Sequence, residues 1–344
     1  MPSPTAHNER YNSRVASQPI ALRTVSGTLP GVARDECDLA ATLQSGQVFR
    51  WRFDAGDGAW RGFIEHGYAV KLSQGDGDTL FYELTGNIAA APDAERAVRR
   101  FLRLDDLRLA DAAETWAGAD AHFAEAWANH PGIRVVRQDP HECFFSFLCA
   151  SVAPIARIGA MLKAVASECA GDAYGVFPSA PCLADTSEET FRALGLGFRA
   201  KRIAEAARRV AALPSGFLRD LRQATPADAK RELVTFFGVG EKIADCVALF
   251  SLDKDAAIPV DTHIWRMARA WYLPELADAS LTAANYAKVG QAFFDRFGDR
   301  CGWAQQTLFY RAAVGARSGG KTKRVRVSGL PSAPGSSAPA DAKT

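Results

Sequence analysis

The sequence predicts an α+β protein in which a small antiparallel β domain precedes a larger helical domain. Between about residues 33 and 90, apolar and polar side chains alternate in short runs that turns rich in glycine and aspartate separate. This pattern is typical of an antiparallel meander. After about residue 91 the apolar side chains recur at helical spacing. The predicted strands follow one another too closely for the crossover helices that a parallel sheet needs.

The composition excludes several classes of protein. The 344 residues suffice for two or three domains, and the apolar and charged fractions, 48% and 23%, are those of an ordinary globular protein. No apolar run approaches the roughly 18 residues of a membrane-spanning helix, and the amino-terminal residues lack a signal-peptide pattern. The seven cysteines are scattered singly, which argues against a disulfide framework, a zinc site or an iron–sulfur cluster. We therefore expect a reducing compartment inside the cell and no membrane association.

The β domain is predicted to cover residues 33–131, with helices flanking its sheet. Residues 1–32, which precede it, are polar and rich in proline and serine and are predicted to be disordered. The strands are short and rich in aromatic and β-branched residues. They are predicted at residues 47–53, 59–65, 68–73 and 80–84.

The helical domain is predicted to cover residues 132–318. Asp139 and Pro140 have the residue types of an N-cap and a first-turn proline, so a helix should begin there. Pro154 should end or break that helix, and a second helix should follow from Ile155 to about Cys169.

Two helix–turn–helix units come later in the same domain. The first covers residues 192–210, around a glycine turn, and the second begins with Thr225 as cap and Pro226 at the first helical position. That helix should run over residues 225–237. Beyond the domain, residues 319–344 are predicted to be a basic, low-complexity tail. The net charge of +2 is too small to indicate nucleic-acid binding by itself. The run of basic residues from Arg311 to Arg326 indicates either a phosphate-binding arm or a solvated terminus.

The second unit continues as GVGEKIADC, residues 238–246. Its glycines allow positive φ, and the amides from Val239 onward should point out of the amino terminus of the next helix, where an anion can bind. Lys242 and Cys246 lie one turn apart on one face of that helix. An ordinary helical hairpin has the same glycine pattern, so this stretch alone indicates only a phosphate-binding turn. Further on, IPVDTHIWR places Asp261 as an N-cap before another helix.

GVGEKIADC and IPVDTHIWR together resemble the signature of the helix-hairpin-helix (HhH-GPD) base-excision DNA glycosylases. Within that superfamily the chain is similar to the eukaryotic-type 8-oxoguanine DNA glycosylase/AP lyases. SGQVFRWR (45–52), VVRQDPHECFFSFLCAS (135–151), GLGFRA (195–200) and GWAQQTLF (302–309) occur in that family's order and spacing. The resemblance covers about residues 35–318. It implies a TBP-like antiparallel sheet followed by a helical HhH-GPD domain.

The resemblance implies a bifunctional enzyme that flips 8-oxoguanine, or another oxidised purine, out of duplex DNA. Lys242 would attack C1′ of the damaged nucleotide and form a Schiff base, and β-elimination would then nick the strand. Asp261 would stabilise the positive charge that develops on the sugar. Partial burial at a helix amino terminus should disfavour the ammonium form of Lys242.

The same resemblance implies the following partners and place of action. The partner is double-stranded DNA containing 8-oxoguanine, and the enzyme would act as a monomer, in the cytoplasm or nucleoid of a bacterium or in the nucleus of a eukaryote. No cofactor is required. A structural cation at the hairpin is an open possibility, held by the backbone of Val234, Phe236 and Val239.

Roles in the base pocket and on the DNA also follow from the resemblance. The Gly46 carbonyl would read the N7 hydrogen that distinguishes 8-oxoguanine from guanine, Gln305 would bind the Watson–Crick edge, and Phe309 would stack on the base opposite Cys246. Two further groups are implied: Arg157, Phe198 and Arg199 at the opposite base, and Gly238, Val239, Gly240 and His263 at the phosphates.

The chain departs from the family at residues 152–154. The family has an asparagine run there, whereas this chain has Val152, Ala153 and Pro154. Val152 has no amide to hydrogen-bond the orphaned cytosine, so the opposite-base preference stays open. Phe198 stands where a tyrosine is usual, and it can still insert into the base stack.

Two other functions compete with this interpretation. A monofunctional glycosylase for alkylated bases would use the aspartate with water, and Lys242 argues against it. A non-catalytic helix-hairpin-helix DNA-binding protein would keep the glycine turn but would have no reason to retain Asp261, Gln305 and Phe309 together.

Overall fold

A computed structural model describes residues 22–75, 77–88, 91–170 and 176–318. Its first unit is a five-stranded antiparallel sheet with the strand order β1-β5-β4-β3-β2, which confirms the predicted fold class. Residues on one face of β4 and β5 alternate inward, so that Leu72, Leu80 and Leu84 are fully buried. The strands are β1 (Arg23–Pro30), β2 (Arg52–Asp54), β3 (Ala59–Ile64), β4 (Tyr68–Gln74) and β5 (Thr79–Gly86).

β1 corrects the expectation that residues 1–32 are disordered. It pairs with β5 along its whole length, with Val25 opposite Leu84 and Leu29 opposite Leu80. Only Leu29 in this edge strand is buried, so the segment carries almost no hydrophobic alternation from which a strand could be predicted. Residues 1–21 lie outside the described residues, as does the predicted tail at 319–344.

The strand predicted at 47–53 is also wrong, because only its last two residues belong to β2. Residues 47–51 cross between two hydrophobic cores instead. Phe49 packs edge-on against Phe147 of the helical core, with ring centroids 5.4 Å apart. Trp51 stacks on Phe101 of the β-domain core, with centroids 5.1 Å apart. Side chains that point alternately into two cores imitate the period of a strand.

The helix Ala91–Leu102 packs in the β-domain core. The helices after it pack into one large core of their own. Asp139 and Thr225 cap helices as predicted, each through a side chain that accepts amide hydrogen bonds. The helix that Thr225 opens ends at Val234, before the predicted limit of 237. The helices are α1 (Leu39–Gln44), α2 (Ala91–Leu102), α3 (Leu109–Ala119), α4 (Ala121–Asn129), α5 (Pro140–Cys149), α6 (Ile155–Ala170), α7 (Ala180–Asp185), α8 (Glu188–Phe191), α9 (Arg199–Ala212), α10 (Phe217–Asp220), α11 (Pro226–Val234), α12 (Glu241–Ser251), α13 (Thr262–Trp271), α14 (Ala283–Phe297) and α15 (Cys301–Ser318).

An extended segment between α4 and α5 joins the two cores. Val135 packs in the helical core and the next residue, Val136, in the β-domain core. Arg134 is fully buried beside them. Its guanidinium donates to the backbone carbonyls of Glu36, Leu102, Arg103 and Leu107. It also lies 5.4 Å from the centre of the Trp303 ring in the helical domain. A buried arginine with so many fixed acceptors holds the two units in one relative position.

Within the described part of the chain, no helix is both long and apolar enough to cross a membrane.

Candidate active site

The residues singled out for chemistry meet around one small cavity of about 40 Å³. Five parts of the chain line it: the Ser45–Gly46 turn, α5, α12, the loop before α13, and α15. The lining side chains and turn residues are Ser45, Gly46, Phe147, Lys242, Cys246, Phe250, Pro259, Asp261, Gln305, Gln306 and Phe309. A larger cavity of about 680 Å³, between the outer face of the sheet and α6, contains none of these residues.

Lys242 lies in the first turn of α12. The helix has Gly240 as its N-cap, which provides no side-chain acceptor for the first amides. The Lys242 ammonium stands 5.5 Å from the centre of the Phe147 ring, a favourable cation–π distance. The described carboxylates form no ion pair with it, so the amine faces the cavity without a fixed anionic partner.

Cys246 follows one turn later on α12 and is buried. Burial raises the pKa of its thiol to about 11, although the positive charge of Lys242 acts in the opposite direction. At neutral pH the side chain is therefore a neutral, polarisable thiol on the cavity wall. Lys242 and Cys246 share this wall, as their spacing predicts.

Asp261 is the N-cap of α13. Its Oδ1 accepts from the amides of His263 and Ile264, both at 2.9 Å. Both bonds use the same oxygen, so Oδ2 is not needed for the cap and is available to the cavity. The His263 ring packs edge-on against Phe309 at 6.0 Å, which places this histidine behind the aromatic wall of the pocket.

α15 supplies two adjacent glutamines with different roles. Gln305 is only 2% exposed, and its Oε1 has no hydrogen-bond partner. A buried carbonyl without a donor costs about 1 to 3 kcal/mol, and no described protein group donates to this one. Gln306 donates from Nε2 to the Ser45 carbonyl at 3.0 Å. Sequence reasoning missed Gln306, although the adjacent QQ pair could have prompted the question.

Gly46 lies in a turn that Gln47 holds in place. Gly46 has φ +82°, and a Cβ there would meet its nearest neighbours at 3.5 Å and 3.7 Å, so conformation rather than space requires glycine. The Gln47 amide group donates to the Arg134 carbonyl at 2.7 Å and accepts from the Val136 amide at 2.9 Å. Gln47 was not predicted as a site residue, because nothing in SGQVF shows which backbone it will meet.

The residues expected at the opposite base form a separate group at the start of α6 and α9. Arg199 is 5% exposed and donates to the carbonyls of Ser151 and Val152. Its guanidinium also lies over the Phe198 ring at 4.3 Å. In this state Arg199 supports the 151–152 loop rather than projecting from the surface, whereas Arg157 is exposed and donates to the Gly195 carbonyl at 3.3 Å.

Val152 and Phe198 project outward from this group. Val152 is 95% exposed and has φ +52°, and Phe198 is 53% exposed. A positive φ is strained for a β-branched residue. Exposure of large apolar side chains to water is also unfavourable. Strain and exposure at one loop point to contact with another molecule.

The hairpin departs from expectation at Val239. Its amide donates to the Phe236 carbonyl at 3.0 Å, so it closes the turn and is not free to hold a phosphate. Gly238 has φ +84°, and a Cβ there would collide with the Arg202 side chain. Among the residues that the structure describes, no three or more histidine, cysteine or acidic side chains are grouped as metal ligands.

Two family models and several known proteins match this chain. A model of the 8-oxoguanine DNA glycosylase N-terminal domain matches residues 31–144, and one of the HhH-GPD superfamily base excision DNA repair proteins matches residues 145–291. The N-glycosylase/DNA lyase OGG1 of Arabidopsis thaliana is 38% identical over 283 residues, which cover 80% of this chain and 77% of the relative. The N-glycosylase/DNA lyase of Saccharomyces cerevisiae is 29% identical over 334 residues, with 85% and 87% covered.

A solved structure is similar over the same range. The Clostridium acetobutylicum 8-oxoguanine glycosylase/lyase, in complex with double-stranded DNA, has a TM-score of 0.70 and 25% identity, with 82% of this chain and 93% of that one covered. The helical hairpin and the matches together define a DNA glycosylase of the HhH-GPD superfamily. The chain belongs to the 8-oxoguanine DNA glycosylase family.

The raised pKa of Cys246 can be tested by alkylation. Iodoacetamide reacts with the thiolate, so its rate at Cys246 should keep rising about tenfold per pH unit beyond the ordinary thiol value of 9.0. Peptide mapping at a series of pH values measures the alkylation rate at Cys246. The readout is the pH at which this rate stops rising and not the rate itself, because burial slows the reagent's access at every pH. Lys242→Met should move that pH higher, since it removes a charge that favours the thiolate. A rate that levels near neutrality would reveal a thiolate paired with Lys242 instead.

Proposed function

We propose that this protein is a bifunctional DNA glycosylase/AP lyase of base excision repair, which excises 8-oxoguanine and related oxidised purines from duplex DNA and then nicks the strand. The observation that carries the proposal is the convergence of Lys242, Asp261 and the unpaired Gln305 carbonyl on one cavity. A nucleophile, a carboxylate and a vacant acceptor are what base excision through an amine needs.

Base recognition requires the pocket to open. A cavity of about 40 Å³ holds roughly one water molecule and no purine, so the flipped base has to separate Phe309 from Cys246 and stack between them. Gln305 Oε1 then accepts from a donor on the Watson–Crick edge. The Gly46 carbonyl, on the turn opposite, accepts the N7 hydrogen of 8-oxoguanine. Guanine has no hydrogen at N7, so it leaves that carbonyl unpaired.

The chemistry begins at the Lys242 amine. Once deprotonated, its nitrogen attacks C1′, and the bond from C1′ to the base breaks with its electron pair leaving on the base. Asp261 stabilises the positive charge on the sugar during this step. The resulting glycosylamine opens to a Schiff base as the bond from C1′ to O4′ breaks and O4′ takes up a proton. Loss of a proton from C2′ then breaks the bond from C3′ to the phosphate oxygen, and the phosphate leaves with that electron pair. Water then releases the lysine.

We propose double-stranded DNA as the partner of a monomer, held at the hairpin by the amides of Gly240 and the residues after it. We propose His263, in the first turn of α13, as a further phosphate contact. Because the substrate is DNA, we propose a location in the cytoplasm or nucleoid of a bacterium, or in the nucleus of a eukaryote.

The proposed reaction requires no cofactor, since amine, carboxylate and water supply every step. A structural cation at the hairpin remains a proposal, with the backbone carbonyls of Val234, Phe236 and Val239 as ligands. Oxygen ligands of this kind suit a hard cation. The Phe236 carbonyl already accepts the Val239 amide and would offer its second lone pair.

Lys242→Gln tests the proposed function most directly. The variant should lose both base excision and nicking, because an amide cannot attack C1′, while duplex binding should be nearly unchanged. Borohydride reduction during the reaction should trap a covalent adduct between the wild-type protein and an 8-oxoguanine duplex. Lys288→Gln, at an exposed lysine of α14, is the matched control and should trap normally. No adduct with the wild-type protein would refute the lyase, and nicking by Lys242→Gln would show a different nucleophile.

The two adjacent glutamines form a matched pair for testing the pocket. Gln305→Leu removes an unpaired acceptor, so its urea midpoint should equal or exceed that of wild type, while single-turnover excision should fall about 10- to 100-fold. Gln306→Leu instead removes the donor to the Ser45 carbonyl and should cost about 1 kcal/mol of stability. A Gln305→Leu variant that is destabilised yet fully active would contradict the base-reading role.

Val152 leads us to propose a weak preference for cytosine opposite the lesion. Its isopropyl group can fill space in the base stack but cannot hydrogen-bond, so excision rates opposite the four bases should lie within about tenfold of one another. Val152→Asn should increase excision opposite cytosine selectively, since it provides an amide at a backbone conformation that asparagine tolerates. Val152→Gly relieves the same strain without an amide, and it should stabilise the protein without changing the preference. Identical profiles for the two variants would contradict a role for hydrogen bonding here.

A further inference from the structure

The hydroxyl of Tyr286 bonds to both of the chain segments that carry Lys242 and Asp261. Tyr286 lies on α14, outside the cavity lining. Its hydroxyl is 2.7 Å from Oδ2 of Asp245 on α12, and it accepts from the Val260 amide at 3.1 Å. The Ile258 carbonyl lies 3.1 Å from the same hydroxyl and competes with Asp245 for its single proton. Asp245 precedes Cys246 on the helix of Lys242, and Val260 precedes Asp261.

The connection is buried and electrostatically fixed. The Asp245 side chain is 7% exposed, and Lys230 of α11 donates to the same Oδ2 at 2.9 Å. The Lys230 ammonium also lies 4.9 Å from the centre of the Tyr286 ring and 3.4 Å from Glu241. A buried carboxylate is stable only while its partners stay in place, so the four side chains hold one arrangement.

We propose that Tyr286 is a positioning residue, whose hydroxyl sets the distance between the helix that carries Lys242 and the loop that carries Asp261. No atom of Tyr286 touches the cavity, and its effect passes through Asp245 on one side and the Val260 amide on the other. The inference rests on the proposed function, because only the excision step requires the lysine and the aspartate together. Nicking of an abasic site requires the lysine to reach an aldehyde and depends less on Asp261.

Tyr286→Phe removes the hydroxyl and keeps the ring. Single-turnover excision of 8-oxoguanine should fall about 10- to 100-fold, the scale expected for a misplacement of about 1 Å, while nicking of a preformed abasic site changes little. Affinity for the duplex and the fraction of protein trapped by borohydride on abasic DNA should match wild type. Tyr82→Phe is the control, since Tyr82 is as buried as Tyr286, 6% against 8% exposed, but lies in the sheet.

Two results would overturn the proposal. One is a Tyr286→Phe protein with the excision rate of Tyr82→Phe. The other is a loss shared equally by excision, nicking and the trapped fraction, which would mean that the hydroxyl only stabilises the fold. If the wild-type protein itself excises no base and traps no DNA, the proposed function fails, and this result is distinct from both.

Asp245→Asn provides an independent check. It keeps the shape of the side chain and removes the negative charge to which Lys230 and Tyr286 are hydrogen-bonded. If the hydroxyl acts through Asp245, the two losses should not add. The double variant Asp245→Asn/Tyr286→Phe should then excise the base as fast as the less active of the two single variants. Losses that multiply would show two independent effects and would contradict the connection.

Discussion

Hydrogen bonds from two buried glutamines hold the Ser45–Gly46 turn of the β domain against the helical domain, and the pocket depends on them. Gln306 donates to the Ser45 carbonyl from α15, and Gln47 joins the turn to the backbone of Arg134 and Val136. Each bond replaces one that the group would make with water, so the net gain of any single bond is about 1 kcal/mol. Their larger effect is geometric, because they hold a turn of the β domain in place as one wall of the cavity that the helical domain otherwise forms.

The free protein keeps several unfavourable features at the places where a nucleotide would bind. The Gln305 carbonyl is buried without a donor, Val152 has a strained backbone and an exposed side chain, and Phe198 is half exposed. A fold optimised only for stability would remove all three. They are consistent with a site whose interactions are completed by a partner, and the strongly bonded framework around Arg134 tolerates them.

Local sequence signals gave the capped helices correctly, because a cap is decided by a few neighbouring residues. Asp139, Thr225 and Asp261 each accept the amides that their positions predict. In Asp261 the structural role and the proposed chemical role coincide, since the cap uses one carboxylate oxygen and leaves the other free of it. Signals of longer range were less reliable. Val239 was expected to offer its amide to a phosphate, yet the amide closes the hairpin on Phe236.

The sequence by itself determined the α+β class and the helix boundaries near prolines and capping residues. Through its resemblance to a family it also indicated six of the eleven residues around the cavity. These depend on side-chain periodicity and on short motifs, which survive without knowledge of the packing. Only the tertiary structure decided that residues 47–51 cross between two cores and that Arg199 is bonded inward to its own loop. It also decided that Gln306 bonds to the Ser45 carbonyl and Tyr286 to Asp245 and the Val260 amide. Those contacts are hydrogen bonds between groups far apart in the chain, and no local pattern records which distant backbone a polar side chain will meet.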